Sequence, residues 1–166
     1  IDAASEHCDL VAIDQGIDKD WVLSVGCING RNVWRSDLSA VYQRLLPIYQ
    51  SRGDNLWLAP SCSLLHCPLD LDSEDKINDQ VKSWLAFGKQ KCDELYFLKQ
   101  ALLTHDLGPL VQYSQPVKHR AGSAIVKRDA LRQQVAALTD GDDQRTHVFS
   151  ERKKAQQSKL NLPLLP

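Results

Sequence analysis

The sequence predicts an α/β domain built on a short parallel sheet. Three short runs of apolar residues alternate with two longer segments that have helical periodicity. Near-continuous apolar strands are typical of parallel sheets covered on both faces, and strand–helix alternation indicates βα units. The chain has 166 residues, of which 43% are hydrophobic and 25% charged, so it has the composition of a globular protein that can bury a core.

The three predicted strands are Asp9–Asp14 (DLVAID), Trp21–Ile28 (WVLSVGCI) and Asn55–Leu65 (NLWLAPSCSLL). The Asn29-Gly30 pair after the second run is also compatible with a hairpin turn. The following residues, RNVWRSD, lead into a helical pattern, which favours a crossover to a parallel strand. Three strands are too few for a closed (β/α)8 barrel, which needs about 250 residues.

The first predicted helix, Asp37–Ser51, has one apolar face at steps of three and four residues. Ser36 or Asp37 can cap its first turn, and Gly53 is expected to end it. Pro47 conflicts with this helix, because an interior proline removes a hydrogen bond and costs about 3 kcal/mol. We therefore expect a kink or a shorter helix at Pro47.

The second predicted helix, Ser73–Leu103, is the longest, and its apolar stripe includes Trp84, Leu95 and Leu98. Beyond it the chain is expected to break at Gly108-Pro109, at Ser114–Pro116 and at Gly122. Helical periodicity returns at Ala130–Leu138 and around Asp143–Leu160. The last of these helices is polar nearly all round, which is typical of helices that connect domains.

The net charge of −1 hides a gradient along the chain, since residues 1–116 carry 10 basic and 16 acidic side chains and residues 117–166 carry 10 and 5. A basic end is compatible with a nucleic-acid partner or with docking on an acidic surface of the same polypeptide. Acidic residues interrupt the basic ones, so we expect no nucleic-acid partner. No apolar run suits a membrane helix, so no membrane partner is expected, and no secretory signal is visible. The five irregularly spaced cysteines favour a reducing, cytoplasmic location.

Two segments carry candidate ligand-binding residues. The first, NGRNVWR (Asn29–Arg35), directly follows a predicted strand, where sites of α/β proteins are built. Arg31, Asn32 and Trp34 can bind an anion or stack on a flat ring. They are equally compatible with a turn at Gly30, a packed indole and a local ion pair.

The second segment, SCSLLHC (Ser61–Cys67), contains Cys62, His66 and Cys67, which are residue types that bind zinc. A fourth ligand is missing and the spacing is unusual, so packing of Cys62 and local hydrogen bonding of His66 are favoured over a metal site. No phosphate-loop, dinucleotide-binding or nucleophile-elbow motif occurs in the sequence.

Two long segments, LSVGCINGRNVWRSDL (Leu23–Leu38) and LAPSCSLLHCPLDL (Leu58–Leu71), closely resemble the N-terminal barrel of the cobalamin-independent methionine synthase family. VKSWLAFGKQKCDEL (Val81–Leu95) resembles the helix that follows there, and LNLPLLP (Leu160–Pro166) resembles the approach to a second barrel. The resemblance implies a partial (β/α)8 barrel of about three parallel strands with helices over residues 1–112. It implies a helical interdomain connection over residues 113–166, toward a C-terminal barrel.

The resemblance also implies a function. The family transfers a methyl group from 5-methyltetrahydrofolate with a polyglutamate tail to homocysteine, and a zinc ion held by the C-terminal barrel activates the thiol. This chain is then expected to be scaffold and connection, with no catalytic residue and no zinc of its own. The chain begins at Ile1 and contains no methionine, so we expect a processed or trimmed product of a larger gene.

The alternative is a stand-alone relative that binds folate or another small anion. Its candidate ligand-binding residues are Asn29, Arg31, Asn32, Trp34, Ser61, Ser63 and His66. The expected partners are the C-terminal barrel of the same polypeptide and, through an exposed sheet edge, a second copy of the chain.

Overall fold

The computed structural model describes residues 1–5, 7–161 and 163. The chain divides into two compact units, Ile1–Val126 and Lys127–Pro166. In the first unit the regular elements are α1 (Leu10–Gly16), β1 (Leu23–Ile28), α2 (Leu38–Arg52), β2 (Leu56–Pro60), α3 (Asp79–Lys82), α4 (Gly88–Thr104) and α5 (Gly108–Arg120). Single 3₁₀ turns occupy Gly53–Asn55, Leu64–His66 and Leu71–Ser73. The predicted mixed α/β class is confirmed.

The sheet of the first unit consists of β1 and β2, which are parallel as predicted. Their register pairs Leu23 with Leu56 and Gly26 with Ala59. Gly26 is required by the close approach of the two backbones, because a Cβ there would lie 2.7 Å from the Cα of Ser61. The carboxyl ends of both strands, and the loops that follow them, therefore lie side by side.

The other edge of β1 is covered by the first residues of the chain. The Ile1 amino group donates to the Ser24 carbonyl at 2.8 Å, and the Gly26 N–H donates to the Ile1 carbonyl at 2.8 Å. The Ala3 N–H donates to the Gly26 carbonyl at 3.0 Å. Ile1–Ala3 thus runs beside β1, with Asp2 and Gly26 forming a parallel bridge.

The predicted strand at Asp9–Asp14 is wrong, because these residues form most of the helix α1. The Asp9 carboxylate accepts a hydrogen bond from the Ala12 N–H and caps the first turn. Leu10 and Asp14, four residues apart, are the buried positions of the helix. An apolar run this short fits either a strand or one helical face, and the cap selects the helix.

The helix α2 confirms the predicted helix between the strands, and its buried face includes Leu38, Leu45 and Ile48. Pro47 lies inside the helix and is exposed, so the helix is not shortened there, and the alternative expectation of a kink stays a prediction. Gly53 ends the helix as predicted, with a φ of 54°. The core of the unit packs α2 against the sheet, α4 and α5. Its members include Leu10, Val25, Ile28, Leu98, Ala101 and Leu110.

The predicted helix at Ser73–Leu103 is wrong in its first half, since only Asp79–Lys82 and Gly88–Thr104 are helical apart from a 3₁₀ turn. Between them the chain pairs with the loop after β1 instead. The Arg35 N–H donates to the Trp84 carbonyl at 2.8 Å, and the Ala86 N–H donates to the Val33 carbonyl at 2.9 Å. These long-range hydrogen bonds replace the helical ones that the periodicity had favoured.

The helix α5 occupies the region where breaks were predicted. Pro109 lies in its first turn, where a proline has the correct φ and its missing N–H is not needed. Pro116 lies further inside the helix. Because α5 runs from Gly108 to Arg120, the predicted boundary between residues 112 and 113 falls within it, and the two predicted domains remain a prediction.

The second unit contains α6 (Asp129–Ala136) and α7 (Phe149–Leu160), which overlap the two helical patterns predicted there. Neither helix has a buried residue. Most of the LNLPLLP segment lies outside the described residues. Within residues 1–5, 7–161 and 163, no helix combines the length and apolarity needed to cross a bilayer.

Candidate functional site

Two loops meet at the carboxyl end of the sheet, one after β1 (residues 29–37) and one after β2 (residues 61–70). The Gly30 N–H donates to Ser61 Oγ at 3.1 Å, and the Cys67 thiol donates to the Gly30 carbonyl at 3.2 Å. A Cβ at Gly30 would lie 2.9 Å from the Cys62 carbonyl oxygen, so only glycine allows this approach. The structure thus brings the two predicted segments together.

Three of the seven predicted ligand-binding residues, Asn29, Asn32 and Trp34, line one cavity of about 290 Å³. The cavity lies between the loop after β1 and the first turns of α2. Its wall also includes Arg35, Ser36, Asp37 and Arg44. Both asparagines are half-buried, and the Trp34 side chain is 39% exposed.

The two asparagine amides are oriented by the loop backbone. Asn29 Oδ1 accepts a hydrogen bond from the Arg31 N–H at 2.8 Å. Asn32 Oδ1 accepts from the Trp34 N–H at 3.1 Å and lies 3.5 Å from Lys91 Nζ. The amide NH₂ groups donate to none of the described residues, so they are available to donate to a ligand.

The other four candidates have local partners or lie apart from the cavity. Arg31 pairs with Asp2 at 2.7 Å on the surface, and this hydrogen bond holds the Asp2 pKa below its ordinary value of 3.8. Ser61 Oγ accepts from Gly30, and Ser63 Oγ accepts from the Leu65 N–H at 3.2 Å. His66 is exposed in a 3₁₀ turn. A ligand role for any of the seven remains a prediction.

Two arginine–aromatic contacts join α5 to the loop after β1. The Arg35 guanidinium lies 4.4 Å from the centre of the Tyr113 ring, and the Arg120 guanidinium lies 3.8 Å from the Trp34 ring. Cation–π contacts of this kind fix both the arginine and the ring. Arg35 Nε is buried and has no acceptor among the described residues.

A pair of fully buried charged residues on α4, Lys91 and Glu94, supports the loop from beneath. Lys91 Nζ lies 3.3 Å from the Trp34 carbonyl oxygen. The Glu94 carboxylate accepts hydrogen bonds from the Ser36 N–H (2.9 Å), the Ser36 hydroxyl (2.8 Å) and the Tyr113 hydroxyl (3.0 Å). The two charged side chains thus hold the loop between residues 32 and 36.

Burial shifts the pKa of each group toward its neutral form. Burial raises the Glu94 pKa above 4.5, although the Ser36 hydrogen bonds, the Lys91 charge and the Tyr113 hydroxyl oppose the shift. Burial lowers the Lys91 pKa below 10.5, opposed by the nearby Glu94 carboxylate and by Cys67 and Cys62. Burial and the adjacent Glu94 raise the Tyr113 pKa.

Three residues of this site were not predicted from the sequence, namely Lys91, Glu94 and Arg35. The detectable signal was spacing, since Lys91 and Glu94 fall in the same series of steps of three and four residues as Gly88, Leu98 and Ala101, which are buried. The predicted stripe used Cys92 and Leu95 instead, and Cys92 is exposed. Arg35 ends the candidate segment after β1 but was not among the predicted ligand-binding residues.

The described residues contain no group of three or more side chains of the metal-binding types placed to hold an ion. Cys67 donates to the Gly30 carbonyl, and Cys62 lies against Gly30. His66, the third residue considered as a ligand, is exposed. Burial raises the pKa of the Cys27 thiol, on β1, to about 12, so this cysteine is held in its neutral form.

Comparison with known proteins identifies relatives along the entire chain. The family model described as "Cobalamin-independent synthase, N-terminal domain" matches residues 1–53. The chain is 44% identical over 168 aligned residues to the 5-methyltetrahydropteroyltriglutamate–homocysteine methyltransferase of Aliivibrio fischeri, covering 100% of the chain and 22% of that enzyme. Proteins of the same name from Yersinia pestis and Yersinia pseudotuberculosis are each 43% identical over 169 residues, with the same coverage. The chain thus spans about a fifth of the length of these relatives. Residues 1–53 are thus similar to the N-terminal domain of the cobalamin-independent synthases, and the whole chain is similar to a part of these methyltransferases.

Proposed function

We propose that this chain is the scaffold of a methyltransferase that moves a methyl group from 5-methyltetrahydropteroyltriglutamate to homocysteine and so forms methionine. The supporting observation is sequence identity of 44% to such an enzyme along the whole chain. The β1–α2–β2 unit, with two parallel strands joined through a helix, has the connectivity expected of part of a (β/α)8 barrel. Residues 113–166 are proposed to be the connection toward the second barrel.

The methyl transfer itself is proposed for the remainder of the polypeptide. Zinc supplies thiol activation in this family, and the described residues do not fit a zinc site. Cys62 and Cys67 are turned to Gly30, while His66 is exposed in a separate 3₁₀ turn. Lys91 and Glu94 are fully buried, and their described contacts fit a role in holding the loop after β1.

The proposed partner is the rest of the same polypeptide, since the relatives are several times longer than this chain. Self-association through the free edge of β2 is proposed for the isolated chain. A cytoplasmic location is supported by the five cysteines, all of which are free.

The test compares the full-length product of the source gene with the 166-residue chain. Methionine formation from homocysteine and 5-methyltetrahydropteroyltriglutamate is measured for both, with the Aliivibrio fischeri enzyme as the positive control. We expect activity from the full-length protein and none from the 166-residue chain. An inactive full-length protein, in an assay where the control enzyme works, contradicts the proposal, and so does an active 166-residue chain.

A second candidate function, binding of folate or another small anion by the two loops, is favoured by the cavity that Asn29, Asn32 and Trp34 share. Folate is titrated into the 166-residue chain while tryptophan fluorescence is recorded. A saturable change that disappears in Trp34→Phe supports this candidate for folate. A change that persists in Trp34→Phe, or no saturable change, contradicts it for folate.

A further inference from the structure

We propose that the cavity at the carboxyl end of β1 binds a small carboxylate-bearing molecule, and that Arg35 is the group that recognises the carboxylate. This proposal narrows the second candidate function to one cavity and one class of ligand. It rests on binding alone and is independent of the methyl transfer proposed for the parent enzyme.

The first observation is the state of the Arg35 side chain. Its Nε is buried without an acceptor among the described residues, and Arg35 takes part in none of the ion pairs that those residues form. An unsatisfied buried donor on a charged group costs more free energy than one on a neutral group. The guanidinium is held against Tyr113 by the cation–π contact, so its donors have a fixed direction. Because Nε itself has almost no accessible surface, the two Nη groups are the donors that a ligand in the cavity can reach. A planar, two-pronged acceptor such as a carboxylate matches this pair of donors.

The second observation is the chemistry of the remaining wall. The oxygens of Asn29 and Asn32 each accept from a backbone N–H, and their NH₂ groups donate to none of the described residues. Ser36 is not available, because its N–H and its hydroxyl both donate to Glu94. The polar groups left for a ligand are therefore mainly donors, which select a molecule rich in acceptors.

The third observation is the charge of the wall, which contains two guanidinium groups and one carboxylate. Arg44 donates through Nη2 to the carbonyls of Ala3, Ser5 and Cys8, which hold this second guanidinium at the wall. Asp37 is the one acidic residue of the wall, and its Oδ1 accepts from the Ser39 and Ala40 N–H groups at 3.1 and 3.2 Å. The net positive charge of the cavity wall favours an anion.

The size of the cavity limits the ligand. A volume of about 290 Å³ is near the lower end for small-molecule sites, so it suits a molecule with only a few non-hydrogen atoms. Trp34, stacked under Arg120, supplies an apolar wall beside the donors. A short aliphatic mono- or dicarboxylate matches this combination of donors, positive charge and small volume.

The test uses calorimetric titration of the 166-residue chain with succinate at low ionic strength, beside neutral succinamide and inorganic phosphate. We expect saturable one-to-one binding of succinate, no saturable heat with succinamide, and weaker binding of phosphate. Arg35→Gln should weaken succinate binding by about tenfold or more, because the charged donor is lost. The matched control is Arg132→Gln, which removes the same charge from an exposed arginine that does not line the cavity, and it should bind within about twofold of the unchanged chain.

A second variant tests the proposal independently in case Arg35→Gln does not fold. Asn29→Asp keeps the oxygen that accepts from the Arg31 N–H and replaces the free donor with an acceptor. It should weaken succinate binding by about tenfold through repulsion while the circular dichroism spectrum stays unchanged. The proposal is overturned by the absence of saturable succinate binding, by phosphate binding more tightly than succinate, or by a folded Asn29→Asp variant that binds normally. None of these outcomes bears on methyl transfer by the full-length enzyme.

Discussion

The Glu94 side chain has no exposed surface. Its ionised carboxylate is stabilised by the three hydrogen-bond donors that surround it. Two of them come from Ser36 and one from Tyr113, so a single side chain on α4 joins the loop after β1 to α5. Lys91, one helical turn earlier, holds the same loop through the Trp34 carbonyl. Burying a charged group costs free energy unless the group is hydrogen-bonded. The position of the loop after β1 and the protonation state of Glu94 are therefore linked.

The first prediction concerns the pH dependence of stability. Burial raises the folded-state pKa of Glu94 above its ordinary value of 4.5, so the folded chain binds this proton more tightly than the unfolded chain. The corresponding stabilisation is therefore present below about pH 4.5 and is lost as the pH rises through the folded-state value. In Glu94→Gln this site cannot titrate, so the urea midpoint should fall less between pH 4.5 and pH 8 than in the unchanged chain.

The control for this measurement is Glu74→Gln, which removes the same charge outside the buried cluster. Its urea midpoint should change with pH as it does in the unchanged chain. If Glu94→Gln and the unchanged chain have parallel midpoints over the whole pH range, the assigned shift of Glu94 is wrong.

The second residue-scale prediction concerns Arg52, whose side chain is fully buried. It donates to the Asp14 carboxylate and to the carbonyls of Asp18 (3.0 Å) and Trp21 (2.9 Å), so it joins α2 to the segment between α1 and β1. Burial opposes ionisation of Asp14, but hydrogen bonds from Lys19, Ser51 and Arg52 hold its pKa below 3.8. Arg52→Met removes the buried partner of this carboxylate and the donor to the two carbonyls, while Lys19 and Ser51 remain bonded to Asp14. The change should lower the free energy of unfolding by about 3 kcal/mol.

Urea unfolding followed by circular dichroism measures this loss, with Arg31→Gln as the charge-matched control. Arg31 is exposed, so its removal should leave the midpoint nearly unchanged. Equal midpoint shifts in the two variants contradict the importance of the buried network.

At the scale of the element, the sequence predicted correctly those helices and strands whose structure depends on residues close by in the chain. The strand β1, the helix α2 and its end at Gly53 follow from apolar periodicity and a nearby capping residue. The predicted strand Asn55–Leu65 is correct only in its first half, because the strand ends at Pro60. The segment from Ser83 to Phe87 could not be predicted in this way, because its backbone groups bond to Val33 and Arg35, about fifty residues earlier. The helix α5 was missed because prolines were read as breaks, although one in the first turn is well tolerated.

The residues of the candidate site were likewise predictable only where their role depends on nearby residues in the chain. Strand-end position identified Asn29, Asn32 and Trp34, which do line one cavity. Arg35 became a candidate only once its stacking on Tyr113, far along the chain, was known. Lys91 and Glu94 were hidden because charged residues are normally placed on the solvent side of a predicted helix.

The third prediction tests the end of α2. Gly53 has φ 54° and ψ −122°, a conformation that side chains with a Cβ rarely adopt, and its N–H donates to the Tyr49 carbonyl. Gly53→Ala should therefore lower the free energy of unfolding by about 1–3 kcal/mol. Gly16→Ala is the matched control, because a Cβ at either glycine meets nothing within 4 Å while only Gly53 has a positive φ. Thermal or urea unfolding that shows equal effects for both variants contradicts backbone strain as the cause.

At the scale of the whole molecule, the first unit leaves apolar surface exposed. The second edge of β2 has no strand beside it among the described residues. Next to this edge, a cavity of about 550 Å³ is lined by Trp57, Tyr96 and Leu103, which are 60%, 59% and 52% exposed. Free strand edges and large apolar patches of this kind are normally covered in native proteins.

The last prediction is that the isolated chain covers this surface with a second copy. Light scattering should give a mass near twice 18.7 kDa at high concentration, falling toward 18.7 kDa on dilution. Trp57→Lys places a charge on the patch and should shift the chain to the monomer. Trp21→Lys makes the same change at a tryptophan that is 66% exposed but lies outside the cavity lining, and should leave the association intact. A single-chain mass at every concentration contradicts the prediction, as does equal dissociation by both variants. In the full-length protein we expect Trp57→Lys to reduce stability instead, because the proposed barrel would cover this edge with a neighbouring strand and helix.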